Sequence, residues 1–265
     1  MTHLLHLGEG RVTYCGPLAA APWGGLSRPV GGLPGKALAL SPLPQAPPAA
    51  GAPDVVRLEG VMVTGGGRRI LRNLPWRMRP GEHWGVCGPN GAGKTTLLKL
   101  ISGDHPQVYA NRVTVFGRRR GSGATLWEHK RPIALVGPEL QTAYSGSVLC
   151  ADVVLSGFFD SHGLYRRPTP LQEESARRWA EALGVAGVLG RPFGTASSGE
   201  QRLVLLARAM VKHPALVLLD EPCQGLDGTN RARVLAAVEA LAARGGMGIV
   251  YVTHRPDEWP ACLTH

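Results

Sequence analysis

The segment Gly88-Pro89-Asn90-Gly91-Ala92-Gly93-Lys94-Thr95-Thr96 has the residues and spacing needed to hold phosphate. Gly88, Gly91 and Gly93 let the backbone turn tightly and aim its N–H groups at anionic oxygens. Lys94 supplies a charge that reaches β- and γ-phosphates, and the Thr95 hydroxyl suits Mg²⁺. A second chemical group ends the apolar run LVLLDEP (216–222), where two acids stand side by side. Asp220 would hold Mg²⁺ through water, and Glu221 would orient or deprotonate a water attacking the γ-phosphate. Adjacent acids can also simply cap a helix; the phosphate-binding segment upstream favours the catalytic assignment. His254, which closes GIVYVTH (248–254), is placed to contact the same γ-phosphate.

Such residues must be delivered by strands that end together. Four apolar runs read as strands: HWGVC (83–87), PIALV (132–136), ALVLLD (215–220) and GIVYVT (248–253). Helical periodicity marks TLLKLIS (96–102), LQEESARRWAEAL (171–183) and QRLVLLARAMVKH (201–213). In the second of these, Leu171, Ala176, Trp179, Ala180 and Leu183 are expected on one core-facing side. Strands alternating with helices imply an α/β fold around a parallel sheet, which binds ligands at the carboxyl ends of its strands. The phosphate segment follows a strand and opens a helix, so the helix dipole adds to the attraction.

The chain has 265 residues, 29 Lys plus Arg against 19 Asp plus Glu, and a net charge of +10. Its 44% apolar content excludes a disordered chain. No run approaches the roughly 18 apolar residues of a membrane span, and the N-terminus lacks the pattern of a secretory signal. Five cysteines without a CxxC pair argue against a disulfide framework or a zinc site and for a reducing compartment. Residues 1–53 hold nine Pro, nine Gly and only four charges, and 18–53 reads as a linker. Removing the three cations and one anion of 1–53 from the total leaves +8 on residues 54–265. That surplus suits an anionic partner, although an Arg-, Ala- and Gly-rich composition can produce it alone. GRRRG (117–121) could touch phosphates or form a solvated turn.

Taken together, these motifs resemble those of the ATP-binding cassette (ABC) ATPases over about residues 54–265. ASSGEQRLVLLARAM (196–210) looks like that family's signature segment, and CQGLD (223–227) like its D-loop, with Asp227 at a dimer interface. The resemblance implies a P-loop NTPase with a mainly parallel sheet core, antiparallel β and helical subdomains, binding ATP and Mg²⁺. It implies a second cassette as partner, with Ser197 and Gly199 meeting the γ-phosphate held by that cassette. Three positions depart from the family pattern. Ser198 replaces a glycine of the signature. Pro138 stands where the glutamine that senses metal and γ-phosphate belongs, leaving Gln141, a metal and catalytic candidate, or Glu139 to take that role. No aromatic residue lies near Thr64 to stack on adenine.

VVLSGFFDSHGLY (153–165), EPCQGLDGTNR (221–231) and DEWPACLTH (257–265) resemble the molybdate-transport-associated and photorepair-type tandem cassettes. Cassettes of the family continue past the His254 position into a hairpin reading roughly THxLxLxxGRV. That pattern stands here at the opposite end, in THLLHLGEGRV (2–12). Residues 1–17 are therefore expected to resemble the end of a preceding cassette, in a tandem protein or a permuted cassette. The linker can span on the order of 120 Å, so the hairpin can complete its own domain. Two roles are implied. One is a cytoplasmic motor subunit of an importer, held by a membrane permease at the inner membrane and working on molybdate or another small substrate. The other is a non-transport ATPase acting on nucleic acid or its repair.

Overall fold

The computed structural model describes residues 2–17, 20–21, 52–123, 125–255 and 258–263. Most of the expected linker, 18–53, lies outside them. The chain begins with a hairpin, β1 (Thr2–Gly8) and β2 (Arg11–Pro17). Its two-residue turn, Glu9-Gly10, has φ of 48° and 76°. Positive φ at both turn positions matches the right-handed twist of the flanking strands.

β3 (Val56–Gly65) and β4 (Arg68–Met78) pair antiparallel, and β6 (Arg112–Val115) and β7 (Arg118–Arg119) extend them into a four-stranded sheet, β4-β3-β6-β7. Val56, Leu58, Val61 and Val63 on β3 turn inward, with a register break near Gly60 (φ 59°). The main sheet adds β5 (His83–Cys87), β8 (Ile133–Val136), β9 (Leu216–Asp220) and β10 (Gly248–Val252), in the order β2-β1-β5-β10-β9-β8. Every pairing in it is parallel except β1 with β2. β9 and β10 are buried at every residue, as expected of central parallel strands covered on both faces.

The sequence left the hairpin either as the end of a preceding cassette or as a piece able to complete its own domain; in the fold, β1 pairs in parallel with β5 of the same chain from Thr2–His83 to His6–Cys87. Leu4, Leu5 and Leu7 are at most 1% exposed. Two contacts leave no room for a side chain. A Cβ on Gly88 would sit 2.1 Å from the Leu7 carbonyl oxygen, and one on Gly85 would sit 2.1 Å from the Trp259 ring.

The helices are α1 (Lys94–Ser102), α2 (Leu126–Lys130), α3 (Pro138–Thr142), α4 (Cys150–Leu155), α5 (Pro170–Ala182), α6 (Ser198–Met210) and α7 (Gly228–Arg244). α5 starts with a capping box, Thr169 with Gln172, and Pro170 in its first turn. Ala176, Trp179, Ala180 and Leu183 are buried as expected, but Leu171 is 84% exposed. A spacing of five residues turns the helix about 140° away from the shared face, so Leu171 points outward. The arginine run also divides. Arg118 and Arg119 are exposed, whereas Arg120 is buried and donates from Nη2 to the Ile101 carbonyl (2.5 Å) at the end of α1. It serves neither as a solvated turn residue nor as a phosphate contact, because it is committed to a helix C-terminus.

Candidate active site

The loop 88–93 leaves β5 and feeds α1 through left-handed glycines: Gly88 (φ 143°), Gly91 (80°) and Gly93 (97°). Gly93 caps α1 without a side chain, which leaves the first N–H groups of the helix for a ligand. Lys94 is buried and its Nζ donates to the carbonyls of Gly88 (2.8 Å) and Pro89 (3.1 Å). These are weaker partners than phosphate oxygens and are poised to be exchanged for them. Asn90, Gly91, Gly93, Lys94, Thr95 and Thr96 line one pocket. Ala92 is buried beneath the loop.

The end of β9 brings Asp220 to the same pocket. Thr95 Oγ1 donates to Asp220 Oδ2 at 2.7 Å, so two residues 125 positions apart present adjoining oxygens. Burial pushes the Asp220 carboxyl up, the Thr95 hydrogen bond works against that, and the Glu221 charge adds to it. A buried carboxylate beside a hydroxyl is a donor pair that a cation would stabilise. An all-oxygen pair, completed by phosphate and water, fits Mg²⁺.

Glu221 has φ 47°, unusual for a residue with a side chain. Its N–H donates to the Val252 carbonyl (2.9 Å), and His254 Nδ1 donates to its Oε1 (2.9 Å). The ends of β9 and β10 thus hold the acid and the imidazole together. The sequence placed His254 on a γ-phosphate; in the fold its Nδ1 is engaged with Glu221.

The remaining expectations divide. Gln141 does not line this pocket: its Nε2 donates to Gln201 Oε1 (2.5 Å) on α6. Pro138 and Glu139 line the pocket instead, and Lys99 Nζ donates to Glu139 Oε1 (2.8 Å). The two residues from Glu139 to Gln141 turn the helix by about 200°, so Glu139 faces the site and Gln141 faces α6. Ser197 caps α6 in a capping box with Glu200 and is exposed, outside the pocket of its own chain. Gly199 is buried, and a Cβ there would lie 2.1 Å from Asn230 Oδ1 at the start of α7. Asn230 is in turn held by Asp227, whose Oδ1 and Oδ2 accept from its N–H (2.8 Å) and Nδ2 (2.7 Å). Sequence reading missed Ile70, Gln224 and Asn230. Ile70 and Gln224 line the pocket, yet nothing in a strand isoleucine or a loop glutamine marks either as a site residue.

A family model described as "ABC transporter" matches residues 71–224. The chain is 46% identical over 217 residues to the ABC transporter ATP-binding protein ModF of Escherichia coli, covering 82% of this chain and 44% of that protein. It is 28% identical over 266 residues to the ABC transporter ATP-binding protein C323.04 of Schizosaccharomyces pombe, covering 99% of this chain and 53% of that one. The chain thus spans about half the length of these two relatives. Among solved structures, the nucleotide-free ATP-binding cassette of an ABC transporter superposes with a TM-score of 0.63 at 21% identity, over 77% of this chain and 83% of that one.

Proposed function

Since the chain belongs to the ABC transporter family of ATP-binding cassettes, we propose that it binds and hydrolyses ATP to energise a transport system. One observation carries the reading: Lys94, Thr95, Asp220 and Glu221 line a single pocket, and His254 is bonded to Glu221. Lys94 and the loop N–H groups neutralise the triphosphate and the charge that spreads over it during in-line attack. Thr95 and Asp220 would hold Mg²⁺, which when bound screens the β- and γ-oxygens. Glu221 orients the attacking water; His254 fixes one carboxylate oxygen, and the other receives the water's proton.

The cassette works as a pair with a second one, Ser197 of each completing the partner's site, on the cytoplasmic side of a membrane permease. No helix among the described residues is long and apolar enough to cross a membrane, so a membrane path would come from another chain. Residues 1–17 are the closing hairpin of the cassette, supplied from the N-terminal side of the linker. The alignment with the S. pombe relative, which includes nearly all of this chain and half of that protein, supports a place within a tandem arrangement. Import of molybdate or a similar small substrate is the finer reading, resting on the segments 153–165, 221–231 and 257–265. The +8 charge of residues 54–265 favours a second reading, an ATPase acting on nucleic acid. Salt-sensitive DNA binding that stimulates turnover would select it over transport.

Glu221→Gln tests the chemistry. Turnover should fall by about 100-fold or more, while ATP still binds and accumulates a nucleotide-bound dimer on a sizing column. Wild-type turnover in this variant would remove Glu221 from its role.

A further inference from the structure

We infer that Arg72 and the turn of the N-terminal hairpin form the wall against which the nucleotide's base rests, a guanidinium plane replacing an aromatic ring. The inference rests on triphosphate binding at the loop 88–93. Among the described residues none that lines that pocket is aromatic, so a bound nucleotide needs another surface for its base.

β4 runs along one side of the pocket. Ile70 lines it and packs on the phosphate loop, since a Cβ on Gly93 would lie 3.3 Å from Ile70 Cγ2. Arg72 lies two residues further along β4 and therefore on the same face of the strand. It lines a second cavity of about 470 Å³ together with Gly8, Glu9, Arg11, Val12 and Thr13. That cavity opens at the carboxyl end of β1, the strand beside β5, and hence at the sheet end where the phosphate loop begins. The two cavities share a rigid boundary. The Arg72 N–H donates to the Gly10 carbonyl (2.7 Å), a Cβ on Gly10 would sit 2.2 Å from the Ile70 carbonyl oxygen, and Leu7 abuts Gly88.

Arg72 is half-buried, and its Nε is enclosed with no hydrogen-bond partner among the described residues. A purine offers a π face on which a guanidinium stacks well. Glu9 and Arg11 are exposed at the rim, where they can meet the edge of the base or the ribose. The ligand class is the nucleoside end of a purine triphosphate.

The test compares ATP with inorganic tripolyphosphate, which carries the phosphates and no base, by calorimetric titration of the full chain. Arg72→Ala should weaken ATP about tenfold and change tripolyphosphate binding by no more than about twofold. Arg72→Lys keeps the charge and the stem but loses the plane; it should weaken ATP alone in the same way. It decides the matter if Arg72→Ala loses its melting transition. Unchanged ATP affinity, or equal loss of both ligands by a folded variant, would overturn the assignment. Failure of the wild-type chain to bind tripolyphosphate would remove the phosphate site itself, a distinct result that also ends the proposal.

Discussion

Glu221 holds a left-handed backbone at φ 47°, a conformation that costs of order 1–3 kcal/mol for a residue with a side chain. It persists because Val252 and His254 fix its N–H and its carboxylate from the neighbouring strand. The position of the carboxylate therefore depends on the register of β9 with β10, which no local pattern announces. Asp227 shows the opposite case, in which a local pattern suffices. Its carboxylate caps α7, and hydrogen bonds from the backbone and side chain of Asn230 hold its pKa below the usual value. A depressed folded-state pKa gives stability that is full above the unfolded value, near 3.9, and fades as pH falls through the folded one. Asp227→Asn keeps the cap but cannot titrate. Its melting temperature should therefore fall less than the wild type's between pH 6 and pH 3, and parallel curves would contradict the linkage. The pair Gln141 and Glu139 could not be ordered from sequence, because two residues on one helical turn differ only in direction, and packing against Gln201 sets that direction.

At the scale of elements, the N-terminal hairpin links the two sheets. Its strand β1 extends the main sheet, and its turn is hydrogen-bonded to β4. Gly10 is required there twice over: its φ is 76°, and a Cβ would meet the Ile70 carbonyl oxygen at 2.2 Å. Gly10→Ala should cost about 1–3 kcal/mol in urea denaturation, with ATP affinity reduced as the turn is pushed off β4. A neutral result would mean the turn is not seated on β4 as described. The strands and helices bearing motifs were legible to within three residues, since continuous apolar runs and capping boxes are local signals. Leu171 and Arg120 were not, because both hydrophobic faces and arginine runs are resolved only by what packs against them.

For the whole molecule, the order of strands matters more than their number. β1 comes first in sequence but is second in the six-stranded sheet, where it covers the flank of the strand that leads into the phosphate loop. Three fully buried leucines, at roughly 1.5–3 kcal/mol each, make the hairpin's contribution comparable to the net stability of a domain. Deleting residues 2–17 should lower the melting temperature by about 10 °C or more and abolish ATP binding, and a synthetic peptide of residues 1–17 should restore both. An unchanged melting temperature would show that the segment is not part of the fold.

The sequence alone determined the chemistry: glycines at a phosphate-loop spacing, a lysine and threonine after them, and paired acids at the end of an apolar strand are local arrangements whose meaning depends on few neighbours. It also marked the terminal hairpin by its pattern. Only the tertiary structure decided where that hairpin goes, that Glu139 and not Gln141 lines the pocket, that Gly199 is packed on Asn230, and that Arg72 lines a cavity beside the hairpin turn. Each of these depends on contacts between residues far apart in the chain, and burial and register arise only when such segments are brought together.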